Sequence, residues 1–396
     1  MMTVVRLDTS HQRLSRETRI LIAARAVDRL GGFTMGFLPL LLVAAYGASL
    51  HSAGLVAAGF GLATIPSRLL GGRLSDALGR RTTIVLGLTG CAVAQLGLAV
   101  APHLGAAAGA VVLLGLCFEI YEPPSQALLA EVTAPGARVA AYSALGGAIS
   151  AAGVVAGVLA AVLAGVGLRW LFVVDAATCL GCAVIVRCGL PGGRPARDRA
   201  TPAANPWRDR RLLAMLGSGT AFAVVYLVML GGLPLALRSG GVPIGWSGAL
   251  LGVGAVTVVL GPWVRGRLPT AGGTAFARMR SGYLLLALGL ALAAVVAVVH
   301  PSGPAYVLPV VVWSLGSLVL LGEPFAVVAE LAGPRDRGRY LAAYGVSWGL
   351  ATTAAPLVAT TLLSLGTAGT MWLACALVAV GLALVQDRVG AVVTQQ

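Results

Sequence analysis

Long apolar runs alternate with short polar, arginine-bearing breaks from one end of the chain to the other. Twelve such runs stand near 19–46, 53–72, 83–101, 105–130, 139–165, 169–187, 211–237, 244–264, 280–299, 305–332, 340–364 and 368–386. A hydrocarbon core about 30 Å thick needs about 20 apolar residues in helical conformation. The pattern therefore predicts an all-α membrane protein with twelve transmembrane helices. The first run follows a polar start (Arg6, Arg13, Arg16, Arg19). It is too long for a signal-peptide core and is expected to remain as an anchor. One stretch, Leu190 to Arg211, is rich in Pro, Gly and Arg and suits neither a span nor a packed domain. It divides the chain into 1–189, a linker 190–210 and 211–396, with six spans on each side.

The two halves repeat each other. Residues 121–138 read YEPPSQALLAEVTAPGAR and residues 322–337 read GEPFAVVAELAGPRDR. Glu122-Pro123 matches Glu323-Pro324, and Glu131, Pro135 and Arg138 match Glu330, Pro334 and Arg337 at the same spacing. GRLSD (Gly72 to Asp76) after the second span matches GRLPT (Gly266 to Thr270) after the eighth. A repeat in the same order and direction predicts two six-helix bundles related by parallel duplication, with the site between them near the mid-bilayer.

Composition narrows the class. Charged residues make up 11% of the chain, against about 25% in soluble domains. That is too little polar surface for a water-soluble globule of this size, which excludes a soluble enzyme, a secreted disulfide scaffold and a disordered chain. The net charge is +14 and all 28 basic residues are arginine. They lie between apolar runs rather than in a patch, so they report topology and not nucleic-acid binding. With the N-terminus in the cytoplasm, 23 of the 28 fall in cytoplasmic segments. Both termini are therefore expected on that side. The four histidines (His11, His51, His103, His300) are scattered, and Cys179 and Cys182 sit in an apolar run as small buried thiols. No metal site, cofactor or phosphate-binding loop is expected.

The loop after the second span reads GGRLSDALGRRTTI, residues 71–84. With Gly72, Asp76, Gly79, Arg80 and Arg81 it resembles the loop signature of the major facilitator superfamily. YEPPSQALLAEV resembles the corresponding segment of bacterial proton-coupled drug exporters. The resemblance implies the major facilitator fold in a bacterial plasma membrane. It implies a single-chain transporter that exports small amphipathic compounds in exchange for protons by alternating access. Its partners would be a small-molecule substrate, protons and the lipid bilayer, with no nucleic acid. Gly72, Asp76, Gly79, Arg80 and Arg81, with Glu131 at the end of the fourth span, would form a conformational latch. Span 5 carries Gly153 and Gly157, a small-xxx-small spacing that favours close helix packing. A proton-coupled uptake symporter or facilitator, and a non-transporting receptor or assembly factor, are the alternatives. The apolar seventh span favours an amphipathic cargo over a polar nutrient.

Charges inside spans are costly and point to function. Arg25, Asp28 and Arg29 lie in span 1, Arg68 in span 2, Glu119 and Glu122 in span 4, Asp175 in span 6 and Glu323 in span 10. Helix rise puts Arg25 and Arg29 at the depth of Glu119 and Glu122. As i,i+3 residues, Glu119 and Glu122 are expected to share a helix face. Glu119, Glu122 and Asp28 are the proton-coupling candidates, with Arg25 and Arg29 as their charge partners in the cavity. Two close carboxylates oppose each other's charge while an arginine favours it, so the balance can let a proton compete with cargo. Glu323, without an arginine expected at its depth, is the candidate gate of the second half. Asp175 is expected to pair with Arg169 as a structural contact. Tyr121, Tyr226, Met229 and Trp313 are the candidate substrate-lining residues.

Overall fold

The computed structural model describes residues 14–134, 138–190, 206–265, 273–332 and 337–394. Most of the linker, the Gly266 to Thr270 segment, Pro135 and Pro334 lie outside them, as do the side chains of Arg138 and Arg337. Among the described residues the chain is helical throughout, without strands. In order come α1 (Arg16–Leu30), α2 (Thr34–Tyr46), α3 (Leu50–Leu78), α4 (Arg80–Val100), α5 (Leu104–Phe118), α6 (Glu122–Val132), α7 (Arg138–Val166) and α8 (Leu168–Gly189). The second half continues with α9 (Arg210–Ser239), α10 (Gly245–Arg265), α11 (Ala275–Val299), α12 (Val307–Leu320), α13 (Glu323–Leu331), α14 (Arg337–Leu365) and α15 (Ala368–Thr394). Ten helical stretches are long and apolar enough to cross a membrane, and the shorter apolar helices Gly36–Tyr46 and Gly245–Gly261 belong to the remaining two spans.

Three predicted spans are broken helices. Span 1 divides into α1 and α2 at Gly31-Gly32-Phe33, span 4 into α5 and α6 at Glu119-Ile120-Tyr121, and span 10 into α12 and α13 at Leu321-Gly322. The Glu-Pro pairs explain two of the breaks. Proline has no N–H and fits the first turn of a helix, where that donor would be free anyway. Pro123-Pro124 and Pro324 each occupy that first turn, so Glu122 and Glu323 each open a new helix. The sequence repeat is thus a structural one.

Core and outward-facing surfaces separate by position around each helix. Phe37, Leu41, Phe172, Phe222, Leu286 and Trp372 are buried among the helices. Leu62, Val100, Val158 and Leu384 point outward, with Leu384 74% exposed. In water such a belt would be an aggregation surface; in a bilayer it is the lipid contact. Trp170 is exposed near its span end, but Trp372, also near a span end, is fully buried and packs in the core instead.

The halves meet along three helix pairs: α3 with α14, α7 with α10, and α2 with α9. Both α3–α14 and α7–α10 close at the end away from the arginine-rich loops. A Cβ on Gly61 would lie 2.5 Å from the Thr352 carbonyl oxygen, and one on Gly157 would lie 2.3 Å from the Gly252 Cα. Backbone meets backbone there, as small residues allow.

The α3–α4 turn is one residue long. Gly79 adopts φ 82°, ψ 156°, a region open essentially to glycine. Gly72, by contrast, lies inside α3 with nothing within 4 Å of where a Cβ would stand. Its neighbour Gly71 makes the close approach, 2.6 Å from the Ile120 carbonyl oxygen. Gly79→Ala is expected to destabilise the protein by about 1–3 kcal/mol, while Gly72→Ala leaves thermal stability in detergent unchanged. Equal stability of the two variants would contradict this assignment.

Candidate functional site

The breaks in spans 1 and 4 meet around one arginine. Arg25 contacts Glu122 through Nη2 and Oε2, and its Nη1 lies 3.3 Å from Asp28 Oδ2. The Tyr121 hydroxyl donates to the same Asp28 oxygen at 3.3 Å, and the guanidinium sits 5.1 Å above the Tyr121 ring. Gln126 Nε2 donates to Glu122 Oε1 at 3.0 Å. This cluster holds two carboxylates and one guanidinium. Asp28 and Arg25 are one helical turn apart on α1, as i,i+3 neighbours should be.

Glu119 does not join it. It is the last residue of the α5 side of the break while Glu122 opens α6, so the two do not share a helix face. Glu119 instead accepts from Arg68 of α3, at 3.2 Å from Nε and 3.1 Å from Nη2. The Ser67 hydroxyl accepts from the Glu119 backbone N–H at 3.0 Å and anchors the turn. Arg29, one turn further along α1, makes no ion pair with a described carboxylate.

A cavity of about 790 Å³ lies between the halves. Arg29, Arg68 and Glu119 are its charged lining, and Gly32, Phe33 and Phe37 border it at the span 1 break. The second half supplies an aromatic wall. Tyr226 stacks on Trp313 with ring centroids 5.1 Å apart, and Trp348 meets Tyr226 edge-on at 5.6 Å. Met229 also lines the space, whereas Tyr121 is buried behind it. Trp313 Nε1 and Ser314 Oγ are buried at this wall with no hydrogen-bond partner among the described residues. A ligand reaching them would meet polar groups ready to bond. The cavity extends to Trp207, just before α9, so it reaches toward the arginine-rich end and is sealed at the other.

Beside the linker, Asp209 caps α9 and accepts from the Tyr340 hydroxyl of α14 at 3.0 Å. Partial burial opposes its charge, but the hydrogen bonds from Arg211 and Tyr340 outweigh that and hold its carboxyl below the usual carboxylate range.

The remaining predicted residues are placed as follows. Arg80 pairs with Glu131 and bonds the Ala127 carbonyl at 3.1 Å, which ties α4 to α6 inside the first half. Arg81 turns to the Leu190 carbonyl at 2.8 Å. Asp76 is exposed and bonds no described residue. No pair in this group bridges the two halves in this conformation. Glu323 has an arginine after all: Arg278 of α11 grips it with two bonds, at 2.8 and 2.9 Å. The partner comes from span 9, which depth counting along spans 1 and 4 does not reach. Asp175 is not paired with Arg169, which bonds the Ala99 carbonyl at 3.2 Å and lies 5.0 Å over the Tyr46 ring.

The sequence reading missed three features of the site. Arg68 appeared only as a lone charge, with no signal for its pairing to Glu119. Trp348 sits in a glycine- and threonine-rich stretch of span 11, which was not expected to line the cavity. The Gly31-Gly32 pair was a readable breaker signal inside span 1.

The Major Facilitator Superfamily model matches residues 22–322. The uncharacterized MFS-type transporter YhjO of Bacillus subtilis (strain 168) is 27% identical over 299 residues, covering 73% of this chain and 72% of that protein. Among solved structures, an auto-inhibited POT family peptide transporter superposes with a TM-score of 0.80 at 14% identity, covering 95% of this chain and 97% of its own. The POT family transporter PepTSo superposes with the same TM-score of 0.80 at 13% identity, over 97% of this chain and 99% of its own. At these identities the likeness is one of fold.

Proposed function

Because this chain belongs to the major facilitator superfamily of membrane transporters, we propose that it exports small amphipathic compounds in exchange for protons by alternating access. The cavity carries this reading. Its volume of about 790 Å³ falls in the range of small-molecule sites, about 300–1,000 Å³. Its wall of Tyr226, Trp313 and Trp348 suits an apolar or aromatic body, and its few charges suit one polar group. The two six-helix halves, 1–189 and 211–396, rock about this cavity as separate bundles. With the arginine-rich end in the cytoplasm of a bacterial plasma membrane, the conformation described here receives cargo from inside. A single chain is the working unit.

Proton exchange rests on charge balance. Asp28 and Glu122 share one guanidinium, so one negative charge is in excess at the span 1–span 4 break. Such an excess in low dielectric is relieved by a proton. Glu119 faces the cavity through its Arg68 pair, where cargo can compete for either partner. Arg80 and Glu131 hold the loop end of the first half, and Asp76 is free to engage the second half when this end closes. Glu323 with Arg278 ties α13 to α11 in the second half.

A second reading follows from Arg29. It lines the cavity without a carboxylate, so an acidic cargo would be favoured there, and an acidic cargo moves most simply together with protons. The test is accumulation of cationic, neutral and acidic amphipaths in a bacterium lacking its own exporters, with and without a protonophore. The proposal expects lower accumulation that recovers when the gradient collapses. It also expects loss of coupling in Glu119→Gln, in Glu122→Gln or in the double variant. Raised accumulation of acidic compounds, abolished by Arg29→Ala, would establish the second reading instead. Retained coupling in all three glutamate variants would remove both residues from the proton path.

A further inference from the structure

We propose that Asp175, two turns into α8, is a proton-binding group that holds the start of α2 when charged and releases it when protonated. The inference uses the proton-coupled reading for its purpose, but its test does not depend on transport.

Asp175 is 4% exposed and lies directly against the break in span 1. A Cβ on Gly31 would stand 2.6 Å from the Asp175 Cα, so the break is seated on this residue. The Thr34 hydroxyl, on the first residue of α2, donates to Asp175 Oδ2 at 2.9 Å. Phe33, just before α2, and Gln95 of α4 lie beside the same carboxyl. The first N–H groups of a helix lack internal partners and favour a negative group. Asp175 supplies that group from another helix, because Phe33 offers α2 no side-chain cap.

Among the described residues no arginine pairs with Asp175. From α1 the facing groups are Asp28 and, beyond it, Arg25, which is committed to Asp28 and Glu122. From α4 they are Gln95 and Cys91, and from α8 itself Cys179 and Cys182. The membrane portion of α7, residues 144–166, contains no titratable side chain. The Cys179 thiol lies between the two carboxyls, 3.7 Å from Asp28 Oδ1 and 3.9 Å from Asp175 Oδ1. A proton reaching the Asp28 cluster through its half-buried member Glu122 therefore has a polar neighbour on the path to Asp175. An O–H bond forms on one Asp175 oxygen, and the group becomes neutral. One acceptor site becomes a donor, and the Thr34 hydroxyl that holds the start of α2 loses its charged acceptor.

The consequence passes between the halves. α2 packs on α9, and a Cβ on Gly36 would lie 3.5 Å from the Leu230 carbonyl oxygen. Thr34 also borders a small cavity of about 30 Å³ that touches Gly231, Gly232 and Thr352 at the sealed end. Movement of the α2 start bears directly on that seal.

The test is infrared difference spectroscopy of the purified full chain in detergent or lipid, across roughly pH 4 to 9, the range of ordinary and buried carboxyls. Hydrogen–deuterium exchange at residues 31–37 is followed in parallel. Wild type is expected to show a pH-dependent protonated-carboxyl band that Asp175→Asn lacks and Glu122→Gln keeps. Exchange at 31–37 should change with pH in wild type, after correction for intrinsic rates, and be pH-independent in Asp175→Asn. If Asp175→Asn fails to fold, Thr34→Val serves, and should move the pH midpoint of the band by about one unit, tenfold in proton affinity. A band that survives Asp175→Asn, a midpoint unmoved by Thr34→Val, or exchange indifferent to pH in wild type overturns the proposal. Because neither readout needs cargo, these results stand apart from those of the accumulation assay.

Discussion

Gly157→Leu is expected to lower transport by at least tenfold while the protein still reaches the membrane. The reason is local and steric. At Gly157 the approaching atoms are the Cα and N of Gly252, at 2.3 and 2.6 Å from a built Cβ, and the Gly248 carbonyl oxygen at 3.1 Å. None of these can rotate aside as a side chain would. One turn on, a Cβ at Gly248 would meet the Ala161 backbone nitrogen at 2.2 Å, so the two helices lock against each other over two turns. Overpacking costs about 1–3 kcal/mol even where neighbours yield. Differences of that size shift a two-state balance by roughly 5- to 150-fold. Leucine at 157 therefore disfavours the state closed at this end, and alternating access needs that state in every cycle. Gly165 lies on the same helix with nothing within 4 Å, so Gly165→Leu is the matched control and should be silent. A substrate-free readout is labelling of a cysteine placed at Thr352, with the six native cysteines replaced. An impermeant thiol reagent added at the sealed end should modify it in Gly157→Leu and not in the parent. Parental transport and labelling in Gly157→Leu would show that the seal is not a required state.

The fold was legible because its signals are long and repeated. Hydropathy gave twelve spans, and the Glu-Pro repeat gave two related halves. The helix breaks were less legible, since each lies inside a single span-length apolar run. That continuity had a direct effect on the site. Counting depth along unbroken helices brought Arg25 to Glu122, because both sit close to their breaks at the same level. The same counting failed for Glu119, which the turn at Ile120 sends to Arg68 instead. Asp175 and Arg169 were near in sequence, but six residues along a helix do not bring side chains onto one face. Their true neighbours, Thr34 and Tyr46, come from α2, whose position depends on the Gly31-Gly32 break. Glu323 shows the limit of the repeat itself: its mate Glu122 pairs with span 1, but Glu323 pairs with span 9. Duplication conserves backbone placement more readily than it conserves charge partners, which diverge one residue at a time.

Arg25→Leu is expected to be the most destabilising single substitution in the charged cluster. Removing one member of a buried ion pair leaves the other charge uncompensated and costs about 3–5 kcal/mol, more than the intact pair ever contributed. Arg25 has two such dependents, Asp28 and Glu122, whose side chains are 12% and 31% exposed. The first has little water to turn to, and Tyr121 offers it one hydroxyl. Leucine also removes the cation over the Tyr121 ring, a contact worth about 2 kcal/mol where it is desolvated. Thermal unfolding in detergent should show Arg25→Leu below Asp28→Asn and below Glu122→Gln. Neutralising the whole cluster is the decisive comparison. In Arg25→Leu with Asp28→Asn and Glu122→Gln no charge is stranded, so the triple variant should recover much of the loss, and the three effects should be far from additive. Because the excess negative charge disappears with the cluster, the same triple variant should bind no proton at the span 1–span 4 break. A triple variant less stable than Arg25→Leu alone would mean that the cluster acts through packing and hydrogen-bond geometry rather than through charge compensation.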